Sequence, residues 1–459
     1  MRLKRRDFIG GAAAALLGGC AGAPRVATCA RPSGKVNVAF VGIGNRGWSN
    51  VSTFAYHKDL VNVVALCDTQ IGAPHTLKAL QQFPEIPRFT DFRKMFDKMA
   101  GDIDAVVVST PDFSHFPVAM LAMSLGKAVY CEKPLCNTFR EAGLMAAAAK
   151  RYGVVTQMGN QGHTTSNFWQ FSELVRSGFI KDVVRINAFM CDSRRWHKWN
   201  GTMREMPGGE DVLPGLDWNS WQAQRPERSF SSAYLNGEWR CFFEYGTGAL
   251  GDWGAHLFDA AWECLELGHP EKIEVVAEEG ETKCVYPMKS RVEFSFPARG
   301  AMPPLVLEWR DGVGNEPPKP EKLTEKRWSR LAHGAEIYLA DGRVFSRASH
   351  DSVLLPVAGA SAKDPAVKKA MRGFARGRYD HYESFIRAVR GEVKTTSPFE
   401  VSGPFSQLLA MGALAQRMGA GTKLAFDRKT KRFVGNDAAN AFLDGPPTRP
   451  GWAEYAKLA

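Results

Sequence analysis

Residues Val36–Gly47 read VNVAFVGIGNRG. The stretch opens as a nearly all-apolar run and ends in three glycines, Gly42, Gly44 and Gly47, spaced Gly-x-Gly-x-x-Gly. Such a run suits a strand buried on both faces, and a helix can follow from Trp48. In that setting each glycine has a separate task. Gly42 permits the tight turn. Gly44, with Ile43, Asn45 and Arg46 around it, lets backbone approach a pyrophosphate. Gly47 lets the helix pack close to the strand, with its N-terminus facing negative charge. The next apolar run, VNVVALCD (61–68), ends in Asp68. Its distance from Gly47 suits a carboxylate that bonds a ribose 2′-hydroxyl. That carboxylate would repel a 2′-phosphate, so NAD is expected ahead of NADP. The competing reading is a glycine-rich turn and a strand-terminal Asp in some other α/β domain.

The same texture recurs in DAVVVST (104–110) and KAVYCEK (127–133), with helix-like segments at 71–82, 114–125 and 138–151. Apolar strands alternating with helices predict a doubly wound parallel sheet over residues 35–157. After Gln157 the pattern changes. Residues 180–190, 272–279, 291–297, 304–310 and 335–346 read as strands with polar alternation. Helices are predicted at about 250–266, 379–390 and 400–418. Residues 158–459 are therefore expected to form an α+β domain with a large open, mostly antiparallel sheet.

Ligands in open α/β sheets lie beyond the carboxyl ends of the strands. Ser109, Thr110, Pro111 and Asp112, with His115 a turn later, follow one strand; Glu132, Lys133 and Pro134 follow another. Both sets are expected at the nicotinamide end of a cofactor crevice. A lysine there can stabilise an alkoxide, although Lys133 taken alone reads equally as a surface lysine before a helix-starting Pro. Asp252 and His256, in GDWGAHLFD, are four residues apart and share a helix face. A histidine so placed can accept a hydroxyl proton; the alternative makes Asp252 an N-cap and His256 a packing residue. Asn160, Gln161 and His163 lie where the two domains should meet, Gln161 toward cofactor, Asn160 and His163 toward substrate. Trp218, Trp221 and Arg240 join the substrate set, because amides grip hydroxyls and indole faces cover a sugar ring. The two tryptophans suit a core equally well.

GIGNRG, STPDFSH, CEKPL and GDWGAHLFD together make the chain resemble the Gfo/Idh/MocA oxidoreductases, the family of glucose–fructose oxidoreductase and inositol dehydrogenase. QMGNQGH and LDWNSW resemble its Tat-exported bacterial branch. The resemblance implies a Rossmann domain, a second domain whose open sheet mediates homo-oligomerisation, and hydride exchange between NAD(P) and a sugar or cyclitol. It implies a catalytic role for Lys133 and for the Asp252/His256 pair.

The chain begins MRLKRRDFIGGAAAALLGGC. Arg5 and Arg6 before a short apolar run read as a Tat signal, with residues 1–34 as signal and tether. Leu17–Cys20 resembles a lipobox, so Cys20 is a candidate lipidation site and membrane tether; a plain cleaved signal is the alternative. The expected location is the periplasm. Net charge is +11, but the basic residues are scattered and no nucleic-acid footprint appears. None of the nine cysteines forms Cys-x-x-Cys, which excludes that zinc pattern.

Free dinucleotide is scarce outside the cytoplasm, so an exported enzyme is expected to retain its cofactor and reset it in place. One route is net sugar oxidoreduction. A second is transient oxidation and elimination, the chemistry of the NAD-dependent glycosidases of glycoside hydrolase family 109. This chain keeps Glu-Lys-Pro, where those glycosidases resemble Glu-Val-Pro. A third reading is a sugar-binding protein without turnover, against which Lys133 and His256 argue.

Overall fold

The computed structural model describes residues 34–192, 203–280, 283–320, 323–328, 333–347, 354–371 and 379–459. Arg5, Arg6 and Cys20 lie outside them.

Among the described residues the chain forms two sheets. The first is parallel: β1 (Val36–Val41), β2 (Val61–Cys67), β3 (Arg88–Phe89), β4 (Ala105–Val108), β5 (Ala128–Cys131) and β6 (Thr156–Met158), in the order 3-2-1-4-5-6. That is the doubly wound order of dinucleotide-binding domains. Helices α1 (Arg46–Tyr56), α2 (Leu77–Gln82), α3 (Phe92–Met99), α4 (His115–Ser124) and α5 (Phe139–Tyr152) cover it. The predicted apolar runs are strands because both their faces are covered: β4 and β5 are buried at every residue. Helix α5 starts on a capping box. The Thr138 Oγ1 accepts from the Glu141 main-chain N–H at 3.2 Å and donates to Glu141 Oε2 at 3.0 Å.

The chain leaves through α6 (Ser166–Arg176) into β7 (Val183–Met190), then reaches α7 (Trp218–Gln222), α8 (Gly248–Leu257) and α9 (Asp259–Cys264). Strands β8 (Lys272–Glu279), β9 (Lys289–Phe296), β10 (Leu305–Asp311), β11 (His333–Leu339), β12 (Val344–Arg347) and β13 (Leu355–Ala358) follow. After them come α10 (His381–Val389), α11 (Phe399–Met418), and the pair β14 (Lys423–Asp427) and β15 (Arg432–Phe433). The second sheet runs 13-12-11-7-10-9-8-14-15. It is antiparallel except where β7 pairs with β10. The predicted strand 335–346 is a hairpin, β11 and β12, turning at Gly342 in the left-handed region (φ 84°).

The two parts share a core. Phe385, Ile386 and Val389 of α10 pack into the cluster that holds Val36, Val38 and Phe40 of β1. Each such side chain, fully buried, contributes roughly 1.5–3 kcal/mol. Helix α11 lies along α5 at a small-residue contact: a Cβ on Gly403 would sit 2.8 Å from the Ala146 Cβ. The late helices thus clamp the second sheet to the first domain.

The glycine turn is as tight as its spacing predicts. A Cβ on Gly47 would lie 2.1 Å from the Gly42 carbonyl oxygen. Gly47→Ala should therefore lower stability by about 1–3 kcal/mol and weaken NAD binding, read by urea unfolding and by the NAD content of the purified protein. An unchanged unfolding midpoint would show that the turn has slack.

Candidate active site

The carboxyl ends of β1, β2, β4 and β5 open onto a cleft closed on the far side by residues of the second part. The glycines form a cradle that fits a dinucleotide. Gly42 has φ 81°, and a Cβ there would stand 2.6 Å from the Ser109 carbonyl oxygen; on Gly44 it would stand 2.3 Å from the His75 ring. The Ile43 N–H donates to Asp68 Oδ2 at 3.1 Å, and His75 Nε2 lies 3.4 Å from Asp68 Oδ1. Asp68 and Thr69 then line the adenosine half of the cleft.

The other half gathers Gly44, Asn45, Arg46, Ser109, Thr110, Pro111, His115, Glu132, Lys133, Gln161, Arg240, Asp252 and His256 around one space. Lys133 Nζ donates to Asp252 Oδ1 at 2.5 Å and to the Asp252 carbonyl oxygen at 2.8 Å. Asp252 and His256 lie on one wall because both sit on α8, four residues apart. Arg240 Nε is 3.8 Å from Asp252 Oδ1, and its guanidinium stacks 4.2 Å over the Trp239 ring. An ammonium has three donors and two are committed to Asp252, which leaves one for a substrate oxygen.

Several predicted residues do other work. Glu132 is a buried hub: its Oε1 accepts from Arg46 Nε (3.0 Å), Asn50 Nδ2 (2.9 Å) and Gln161 Nε2 (3.3 Å). This ties the glycine turn to β5 and β6. The His115 ring nitrogens face the Pro134 and Thr110 carbonyl oxygens at 3.0 and 2.8 Å. Only a carbon edge of His115 is left for the cofactor, and burial lowers its pKa.

Asn160 and His163, expected at the substrate, are buried behind the cleft. Asn160 Nδ2 donates to Asp259 Oδ1 at 3.0 Å, and His163 Nδ1 lies 3.0 Å from Asp259 Oδ2. Burial works against the His163 cation, but Asp259 and Glu263 outweigh it and raise the pKa. Trp218 is a core residue, 9% exposed and stacked on Trp221 at 4.7 Å, with Nε1 donating to the Arg228 carbonyl. Trp221 lines the adenosine half, away from Lys133. The seven cysteines among the described residues are free thiols, with Cys131 and Cys136 both buried.

The sequence places Asp112 with the other strand-end residues at the nicotinamide end but assigns it no chemical role. Asp112 is 5% exposed, lines the cleft beside Lys133, and accepts from Thr247 Oγ1 at 2.7 Å. Burial pushes its carboxyl up to about 7; Arg240, Thr247 and Lys133 pull the other way, and Asp252 adds to the rise. Trp239 and Trp253 also line the cleft.

A parallel sheet with a glycine cradle, joined to a second part whose mostly antiparallel sheet is accompanied by helix α8 bringing a carboxylate and a histidine to the cofactor end, defines a two-domain dinucleotide-dependent oxidoreductase fold. The chain belongs to the Gfo/Idh/MocA oxidoreductases. Residues 36–160 match that family's NAD-binding Rossmann fold, and residues 166–301 match its C-terminal alpha/beta domain.

Among curated proteins it is similar to an alpha-N-acetylgalactosaminidase of Shewanella oneidensis and to a glycosyl hydrolase family 109 protein of Shewanella sp. strain ANA-3, each 29% identical over 168 residues. Those matches span 35% of this chain and 36% of the relatives' length. Among solved structures, the WlbA dehydrogenase of Chromobacterium violaceum, in complex with NADH and UDP-GlcNAcA, superposes with a TM-score of 0.58 at 15% identity, over 87% of this chain and 98% of that one. An inositol dehydrogenase homologue of Azotobacter vinelandii, complexed with NADH and myo-inositol, gives 0.51 at 14% identity, over 85% and 98%. At these identities the likeness is one of fold.

The Asp112 carboxyl has a pH signature. Unfolded, it ionises near 3.8. Between about pH 5.5 and 7 the folded protein therefore holds a proton that the unfolded chain has lost, and stability falls as pH rises through that window. Measured against Asp112→Asn in urea titrations, the wild type should lose about 2 kcal/mol between pH 5.5 and 8.5. A difference that does not change with pH would mean the carboxyl is ionised throughout.

Proposed function

We propose that the protein is an NAD-dependent oxidoreductase that acts on a hydroxyl of a sugar, glycoside or cyclitol and retains its cofactor between turnovers. The observation that carries this is the Lys133–Asp252 ion pair, 2.5 Å long, beside His256 in the cleft that continues from the glycine cradle. Bound NAD supplies the hydride acceptor. Asp252 holds Lys133 with two of its donors, and the third reaches the substrate hydroxyl oxygen. As charge grows on that oxygen, the fixed ammonium stabilises it more than it did the neutral hydroxyl. His256 takes the hydroxyl proton. Arg240, braced on Trp239, offers a second cation to the substrate's polar groups.

A glycosidase working by transient oxidation is the second reading, favoured by the family 109 relatives. Glu132-Lys133-Pro134 favours the first. Purified protein incubated with free sugars and with aryl glycosides, without added acceptor, separates the two. Net change in bound NADH absorbance on free sugars supports oxidoreduction. Aglycone release with no net change would overturn it. Lys133→Met should lower turnover by roughly 100-fold or more while leaving NAD bound, and His256→Asn by about 100-fold. Full activity in both would remove the assignment.

The protein is further proposed to leave the cell interior folded, by the Tat route, to be anchored through lipid on Cys20, and to pair with copies of itself through the second sheet. Replacing Arg5 and Arg6 together by Lys should hold the protein in the cytoplasm, measured by cell fractionation; unchanged periplasmic yield would defeat the Tat assignment.

A further inference from the structure

We propose that residues 216–239 form a fixed cover over the adenosine half of the cleft, so that the cofactor is enclosed as the chain folds and does not exchange during turnover. The inference rests on the reading of the cleft as an NAD site. Leu216, Trp221, Ala223, Asn236 and Trp239 face the ends of β1, β2 and β4 across that half. All five belong to the second part of the chain, remote in sequence from the Rossmann residues opposite. The glycine fingerprint and Asp68 require none of them.

The cover is fastened at several points. The Asp217 main-chain N–H donates to the Thr69 carbonyl at 2.7 Å, immediately beyond Asp68. Gln224 Nε2 donates to Glu141 Oε1 at 2.9 Å on α5 and to the Phe113 carbonyl at 2.5 Å. Arg225, 1% exposed, donates to Glu141 Oε2 at 2.9 Å and to Asn137. The Trp221 ring packs on Phe113 at 5.4 Å. Arg449, near the C-terminus, donates to the Ala223 carbonyl and to Asn219. Lifting the segment would break the buried Arg225–Glu141 pair and expose the apolar surface that Trp221 and Phe113 bury on each other.

The backbone agrees. Ala223 and Asn236 hold φ of 44° and 55°, in the left-handed region. Asparagine adopts that region readily, but alanine stays there only where its surroundings over-determine it. Both lie on the wall that faces the cofactor.

The test compares NAD exchange in wild type, Leu216→Ala and Trp221→Ala, all as full-length protein loaded with radiolabelled NAD and chased with excess unlabelled NAD on filters. Far-UV circular dichroism checks that each is folded. Wild type should keep label through gel filtration and lose it over hours. Each variant should lose it roughly tenfold faster or more, because the wall is thinned while the hydrogen bonds of Asp217, Gln224 and Arg225 remain. If Trp221→Ala fails to fold, Leu216→Ala decides. Equal rates in variant and wild type would overturn the cover, and so would wild-type exchange within seconds. Wild type that holds no NAD, either as purified or after refolding in the presence of labelled NAD, would overturn both the cover and the cofactor reading beneath it.

Discussion

The Lys133–Asp252 pair joins the two halves of the molecule at the point where chemistry is expected. Lys133 stands at the end of β5, and Asp252 comes from α8, more than a hundred residues later. An ion pair this close and this sheltered from water has a use only if neither partner moves. Drift of about 1 Å between the domains would weaken both bonds and misdirect the donor meant for substrate. The architecture can be read as what keeps that drift from happening. Helix α11 seats on α5 through Gly403, and Gln407 Nε2 donates to the Phe139 carbonyl at 3.1 Å. On the other face of the parallel sheet, His381 Nε2 lies 2.8 Å from the Met158 carbonyl, and α10 fills the core beneath β1.

Such a clamp has a consequence for ligand traffic. Many two-domain enzymes admit cofactor by opening a hinge. Here the domains meet through a shared apolar core, and hinge motion would expose Phe385, Ile386 and Phe405 to water. The cleft's width is then set by packing. At the Lys133 end the walls are largely polar, and Asp252, Trp253 and His256 are only partly buried. The adenosine end is walled by apolar and aromatic residues from both parts of the chain.

Much of this could be read along the chain because it depends on local pattern. The parallel strands are apolar runs whose burial on both faces leaves them no alternation. The glycine spacing encodes a turn whose tightness the Gly47–Gly42 approach confirms. The i, i+4 spacing of Asp252 and His256 put them on one wall by helix geometry alone. What depends on tertiary placement was not legible. Trp218 and Trp221 have the same composition signal whether they coat a sugar or stack on each other, and only the fold turns them inward. Asn160 and His163 sit two residues from β6 or a little more, near the domain junction as expected, yet they turn away from the cleft to Asp259, whose position no local pattern reveals. Asp112 reads only as one more polar strand-end residue until burial changes its chemistry.

That change bears on how the cleft handles charge. Lys133 and Arg240 are cations and Asp252 is an anion, while Asp112 sits near its own midpoint at neutral pH. With Asp112 protonated, these four groups sum to one positive charge, which suits an oxygen acquiring negative charge beside Lys133. With Asp112 ionised they sum to zero, and the same oxygen gains less. The carboxyl is poised because burial, which favours its neutral form, outweighs Arg240, Thr247 and Lys133, which favour its anion. An asparagine would keep the bond to Thr247, its amide oxygen accepting as the carboxylate does, and would lose the titration. A single buried acid thus sets how much positive potential Lys133 can offer to its substrate, without touching the ion pair that holds the lysine in place.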